Sequence, residues 1–229
     1  MTSVDVSIIL PVYNEEATLA RVLDKLSALP LNKEIIVVDD ASTDTSSEIM
    51  HSRSKEFVHI TQPANQGKGA AIRAGIAVAI GKVTVIQDAD MEYDPADIPS
   101  LVQPILDGKA DVVYGSRFTR GMHPKMALPN KIVNVLLKWF VRILYFKKIS
   151  DEATCYKAFR TDILRAMNLQ CNRFEFCPEV TGKALRMGYD IKELPINYEP
   201  RSKSAGKKIR WTDGVEAFWT LLRHRFTKF

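Results

Sequence analysis

Two aspartates one residue apart, Asp88 and Asp90, follow a short apolar run, Lys82-Val-Thr-Val-Ile-Gln87. Carboxylates so spaced at a strand end can converge on one hard divalent cation. Mg²⁺ or Mn²⁺ accepts such oxygens together with those of a diphosphate. A metal there would stabilise charge building on a departing nucleoside diphosphate, and Glu92 offers a third carboxylate. Taken alone, an Asp-x-Asp triplet has the plainer reading of a solvated acidic loop. Four more polar clusters stand beside it: Pro11-Val-Tyr-Asn-Glu15, Asp39-Asp40-Ala-Ser-Thr-Asp44, Asn65-Gln-Gly-Lys-Gly69 and Gly115-Ser-Arg117. Each has a local explanation, since Asp44 can cap a helix and Gly67 and Gly69 can shape a turn.

Other chemistries lack their motifs. The turn after the first apolar run holds no glycine, so the GxGxxG dinucleotide fingerprint is missing. Gly67-Lys68-Gly69 has neither the spacing nor the hydroxyl of a phosphate-cradling GxxxxGK[ST] loop. No GxSxG elbow occurs. Cys155, Cys171 and Cys177 form no CxxC pair, which argues for reduced thiols rather than a zinc or dithiol site.

The polar clusters all follow strand signals. Short apolar runs at residues 6–12, 34–39, 57–61, 82–87 and 111–115 alternate with helical patterns at 15–29, 44–54, 69–80 and 95–106. Successive β-α units predict an α/β fold, a parallel sheet with helices on both faces. Ligands of such sheets sit beyond the carboxyl ends of the strands, where these clusters lie. The rest reads as helices at 128–146, 159–167, 178–187 and 214–226, with a strand at 191–198. No repeat and no Gly/Ser-rich linker divides the chain, so one domain over 1–229 is expected, with halves 1–116 and 117–229.

With 46% hydrophobic and 26% charged residues the 229-residue chain is an ordinary globular protein. Its charge is lopsided: residues 1–116 carry 9 Lys+Arg against 17 Asp+Glu, residues 117–229 carry 23 against 10. The second half is therefore expected to face an anionic partner. Nucleic acid is disfavoured, because the basic residues are dispersed through apolar helices and no recognition motif is present. No stretch of about 18 apolar residues occurs and the N-terminus lacks a basic leader, so a cytoplasmic protein without a spanning helix is expected. Residues 132–146 and 218–229 mix Trp139 and Trp219 with apolar and basic side chains, the composition of helices lying in a bilayer interface. Peripheral association with the anionic cytoplasmic face of a membrane follows. Aspartate at Val141 and Leu144 should weaken that association if their face meets lipid, and unfold the protein if it packs inward.

The ordered set VSIILPVYNEE, EIIVVDDASTD, NQGKGAAIRAG, QDADMEYDP and VVYGSR resembles the family 2 glycosyltransferases of GT-A fold, in particular the dolichyl-phosphate mannose synthase-like branch. The resemblance continues through SDEATCYKAFR and spans nearly the whole chain. It implies that Pro11, Tyr13 and Glu15 line the base and ribose of a nucleotide sugar. Val38, Asp39 and Asp40 would complete the base pocket, one carboxylate accepting from a base N–H. Lys68, Asp88, Ala89 and Asp90 would lie at the diphosphate and its metal, and Arg117 would face the reacting phosphates. Arg201, with Lys207 or Lys208, would lie on a mobile loop closing over the diphosphate. The sequence departs from the branch at Thr154-Cys155-Tyr156, where relatives carry a Gly-Phe pair, and in RSKSAGKKIRW. The implied reaction inverts a hexose as it moves from GDP-mannose or UDP-glucose to a polyprenyl phosphate, whose anionic oxygen needs no general base. A hydroxyl acceptor on a saccharide is the alternative. It would need a base, and Asp151, Glu175 and Glu179 are the candidates, the two glutamates also being well suited to stabilising a helix start.

Overall fold

A computed structural model describes residues 4–121, 123–201 and 211–227, the side chains of residues 211–213 excepted. The apolar runs rich in Val and Ile become β1 (Val6–Val12), β2 (Lys33–Asp39), β3 (Val58–Thr61), β4 (Val83–Ile86) and β5 (Val112–Ser116). Between them run α1 (Leu19–Ser27), α2 (Ser46–Ser52), α3 (Lys68–Val78) and α4 (Ile98–Leu106). In α1 the buried side chains are Leu19, Val22, Leu23 and Leu26, one stripe at helical spacing. The second half adds α5 (Leu128–Tyr145), β6 (Lys157–Arg160), α6 (Thr161–Ala166), α7 (Phe176–Arg186), β7 (Ile191–Pro195) and α8 (Trp211–Phe226).

Among the described residues one sheet collects all these strands in the order β3-β2-β1-β4-β6-β5-β7. Pairing is parallel except at β6, which runs antiparallel to both β4 and β5. The single helix expected over 159–167 is thus a strand and then a helix. The strand escapes a periodicity reading because Lys157, fully buried, interrupts it. Its Nζ donates to the Glu152 carbonyl at 2.7 Å and lies 3.6 Å from the centroid of the Tyr114 ring. A lysine so satisfied is tolerated in a core, but hydropathy cannot reveal its partners. Phe159, two residues on along the same strand face, meets Tyr114 edge-on at 6.0 Å.

Helix α5 buries Leu137, Val141 and Tyr145. Phe140 packs edge-to-face on Phe218 of α8 at 5.1 Å, and the Tyr145 hydroxyl donates to the Leu221 carbonyl at 2.7 Å. Val141 is fully buried and Leu144 packs on the core, so the face singled out by these two in the sequence points inward. The outward face carries Leu128, Ile132, Leu136, Trp139 and Ile143, all at least half exposed. No helix among the described residues is long and apolar enough to cross a membrane.

Phe159→Ala should therefore cost about 3–5 kcal/mol of unfolding free energy, the usual penalty for emptying a buried aromatic site. Denaturant titration followed by circular dichroism measures it, and a loss below about 1 kcal/mol would place Phe159 outside the core.

Candidate active site at the strand carboxyl ends

The loops after β1, β2 and β4 each contain a non-glycine residue in the left-handed region: Asn14 (φ 50°), Ala41 (φ 58°) and Met91 (φ 61°). Such residues are uncommon and persist where surrounding contacts hold them. Here the contacts are a zip between the first two loops. Asn14 N–H donates to Ser42 Oγ at 3.1 Å, Thr43 N–H to Asn14 Oδ1 at 2.7 Å and Glu15 N–H to Ser46 Oγ at 2.9 Å. Pro11 and Val38 stand opposite one another in the register of β1 and β2, with Tyr13 just beyond the strand end. Asp39 Oδ1 accepts from Ser42 N–H at 2.9 Å.

Asp40 spends both carboxylate oxygens on the loop before α3, accepting from Gln66 and Gly67 N–H at 2.8 Å each. Burial pushes its carboxyl up, against those two donors. Expected as a base-pocket residue, Asp40 is seen holding the neighbouring loop. Gly67 is essential to that loop: at φ 99° an added Cβ would lie 2.5 Å from the Asn172 carbonyl oxygen. The loop in turn delivers Lys68, whose Nζ reaches Asp88 Oδ1 at 2.6 Å and Cys155 Sγ at 3.2 Å. Burial opposes the lysine's charge, but the Asp88 carboxylate keeps it protonated well above the ordinary range.

Asp90 Oδ1 accepts from Glu92 N–H at 3.0 Å, and its Oδ2 lies 2.9 Å from an Arg201 guanidinium nitrogen. Burial and the nearby Asp88 carboxylate push the Asp90 carboxyl up to about 6, against the opposing pull of Arg201. Arg201 also pairs with Glu15 at 3.0 Å, and its backbone N–H donates to Glu92 Oε1 at 2.9 Å. The Ala89 carbonyl accepts from Thr18 Oγ1 at 2.7 Å. Glu15, Asp88, Asp90 and Glu92 thus gather at one rim, although no three metal-ligating side chains converge on a point among the described residues. Glu92, expected as a third metal ligand, has one oxygen on Arg201. Lys207 and Lys208 lie outside the described residues.

Arg117 and Asp151 form a second, adjoining cluster. Nε and a terminal nitrogen of Arg117 contact Asp151 at 2.8 and 2.7 Å, its backbone N–H donates to the same carboxylate at 2.9 Å, and Asn134 Oδ1 accepts at 3.3 Å. The Arg117 side chain is 9% exposed and that of Asp151 fully buried. Of the other candidate bases, Glu179 accepts from the Gln170 and Cys171 N–H groups and pairs with Lys183, and Glu175 accepts from Arg173 N–H.

Two contacts missed in the sequence complete the support of Asp88. Tyr156 hydroxyl donates to Gln87 Oε1, and Gln87 Nε2 donates to the Asp88 carbonyl at 2.9 Å. The signal was Cys155-Tyr156 itself: the departures from the Gly-Phe pair are the side chains that touch the Asp88 neighbourhood.

The profile of the family described as "Glycosyl transferase family 2" matches residues 7–167. This chain belongs to that family. Family 2 relatives include the low-salt glycan biosynthesis hexosyltransferase Agl6 of Haloferax volcanii, 29% identical over 87% of this chain but 49% of its own length. The undecaprenyl-phosphate mannosyltransferase of Micrococcus luteus is 30% identical over 95% of this chain and 97% of its own. The chain thus spans about half of the first and nearly all of the second. Glucosyl-3-phosphoglycerate synthase of Mycobacterium tuberculosis, solved with Mn²⁺, UDP and phosphoglyceric acid, superposes with a TM-score of 0.74 at 21% identity, covering 98% of this chain and 80% of that one. The shared architecture is the GT-A fold of family 2 glycosyltransferases.

An upward-shifted carboxyl destabilises the folded state once ionised. Below pH 3.8 Asp90 is protonated in both states; between 3.8 and about 6 the unfolded chain ionises first and stability falls; above about 6 the full cost stays. Asp90→Asn in chelator at pH 8 should therefore raise unfolding free energy by about 1–3 kcal/mol, a gain that vanishes toward pH 4. Thermal or denaturant melts across that range test it, and equal stability of the two proteins at pH 8 would contradict the strain.

Proposed function

We propose that the protein is a glycosyltransferase moving a hexose from a nucleotide sugar to a polyprenyl phosphate at an anionic membrane surface. The observation that carries this reading is a cleft of about 200 Å³ lined by Phe118, Asn134, Val135, Lys138, Trp139 and Ser150. One wall belongs to the exposed apolar face of α5, and Asn134 in that wall bonds Arg117. An apolar chain lying against α5 thus has a path to the buried Arg117 cluster, with Lys138 at the cleft for an anionic head. The lipid-phosphate names of the mannosyltransferase relative point the same way.

The donor would lie across the other cluster. Pro11, Tyr13, Glu15, Val38 and Asp39 would receive the base and ribose, and Lys68, Ala89, Arg201 and the lysines at 207 and 208 the region of the diphosphate. The residues fit a hard divalent cation: Asp90 is a partly buried carboxyl beside Asp88, its ionisation disfavoured by that burial and that neighbour, and their oxygens match the one or two carboxylates that Mg²⁺ or Mn²⁺ takes alongside phosphate oxygens. The Mn²⁺ bound by the mycobacterial synthase supports it. When bound, that cation would neutralise charge on the departing nucleoside diphosphate.

Arg117 would hold the acceptor phosphate in line with the anomeric carbon, and Asp151, fixed on Arg117 by three hydrogen bonds, would orient it. Asp151 in that position is committed to an arginine, as Glu179 is to backbone donors and Lys183. An acceptor that arrives already anionic suits this arrangement better than a hydroxyl that must lose a proton. GDP-mannose and UDP-glucose are the donors of choice, with a peripheral position on the cytoplasmic leaflet.

A donor panel with and without undecaprenyl phosphate tests the reading. Transfer should require the lipid phosphate and divalent metal, and Asp90→Ala should cut turnover at least about 100-fold with an unchanged fold, the scale of losing a group aimed at transition-state charge. Transfer to a water-soluble saccharide alone, or full activity in excess chelator, would overturn it.

The membrane contact has its own test. Trp139, Ile143, Trp219 and Phe226 are at least half exposed, with Lys138, Arg142, Arg223 and Arg225 interleaved. Ile143→Asp should lower flotation with phosphatidylglycerol vesicles at an unchanged melting temperature, whereas Val141→Asp should lower the melting temperature itself. Binding should weaken from low to high salt, because exposed charges are screened within about 8 Å at physiological ionic strength. Equal flotation of wild type and Ile143→Asp would remove this face from the membrane.

A further inference from the structure

Arg201 stands where a metal-binding site needs its cation. One guanidinium nitrogen lies 2.9 Å from Asp90 Oδ2 and the other 3.0 Å from Glu15 Oε2. Its backbone N–H is spent on Glu92. The segment before it is strapped to the acidic turn: Tyr198 bridges Tyr93, Glu199 N–H donates to the Glu92 carbonyl at 2.9 Å, and Asn197 N–H donates to Asp97 at 2.7 Å. Arg201 is therefore held at Asp90 from both its backbone and its side chain. One atom is out of keeping: its Nε is buried and has no hydrogen-bond partner among the described residues.

We propose that Arg201 closes Asp90 to a free divalent cation, so that the ligand this site takes is the metal–nucleoside diphosphate complex and not the metal alone. This rests on the reading of Asp90 as a metal ligand. A bare divalent ion arriving at Asp90 meets a guanidinium already on the same carboxylate. Two cations on one partly buried carboxylate repel, and moving Arg201 aside strips it of an acceptor. A diphosphate removes both obstacles. Its oxygens give Arg201 a new anion, the unpartnered Nε included, and they complete the metal's oxygen shell. Metal and donor then enter together, and each tightens the binding of the other by the same factor.

Electron paramagnetic resonance of free Mn²⁺ reads this on the full chain, with Mn²⁺ alone and with Mn²⁺ plus UDP or GDP. In the wild type a nucleoside diphosphate should tighten Mn²⁺ binding by about tenfold or more, within the usual range of coupling between sites. Arg201→Gln should tighten the binding of Mn²⁺ alone by about tenfold and shrink the nucleotide effect accordingly. A folded Arg201→Gln protein that binds Mn²⁺ alone no tighter than wild type overturns the proposal. Should that variant fail to fold, Arg201→Lys replaces it, since one ammonium cannot span both carboxylates. It should tighten Mn²⁺ alone by roughly threefold, and unchanged binding overturns the proposal equally. Asp90→Asn separates the two readings. If it leaves Mn²⁺ binding intact, Asp90 is no metal ligand and both fall. If it abolishes Mn²⁺ binding while the Arg201 variants do nothing, only the exclusion of free metal fails.

Discussion

The crowding of carboxylates at the carboxyl ends of β1 and β4 is the constraint on which the rest of the site depends. Glu15, Asp88, Asp90 and Glu92 are brought to one rim, and among the described residues Lys68 and Arg201 are the cations that meet them. Like charges in a partly buried region disfavour their own ionisation, and Asp90 carries the consequence. The two aspartates are not equivalent. Asp88 is paired with a partly buried lysine from α3, while Asp90 is met by an arginine from a distant part of the chain.

Backbone geometry keeps that arrangement from relaxing. Left-handed residues at Asn14, Ala41 and Met91 cost free energy, of order 1–3 kcal/mol each for such strained positions. The first two hold because the loops after β1 and β2 are bonded to each other through Asn14, Ser42, Thr43 and Ser46. Asp40 extends the same lattice sideways. By capturing two backbone N–H groups it fixes the loop that presents Lys68, so the residue following β2 helps to place the cation that pairs with Asp88 after β4. Strained turns and buried charge are tolerated together because the strand ends beneath them are a fully buried core.

The second half solves a different problem. Antiparallel β6 enters between β4 and β5 and brings Asp151 and Tyr156 alongside the first half's strand ends. Arg117, at the end of β5, is clamped there by Asp151, and α5 spans from that clamp to an apolar surface shared with α8. The excess of basic residues in this half therefore divides in two. Arg117 and Lys157 are interior and satisfied, and Arg225 donates to the Leu144 carbonyl, whereas Lys138, Arg142 and Arg223 rim the exposed apolar side chains.

By itself the sequence determined the β-α alternation, the carboxyl-end position of each polar cluster and the family, because strand and helix periodicities and short motifs are local properties. Pro11, Asp88, Asp90 and Arg117 were legible for that reason. Three things waited for the tertiary structure. Strand β6 was hidden by Lys157, whose burial depends on a carbonyl and a ring contributed from elsewhere in the chain. Which face of α5 turns inward was open at Val141 and Leu144, because a helix apolar nearly all round does not declare which stripe meets the sheet. The partners of Asp40, Asp151 and Arg201 lie 26 to 186 residues away along the chain. Whether a carboxylate binds a ligand, holds a loop or clamps an arginine is decided by which donors the fold brings within about 3 Å, and no local pattern carries that distance.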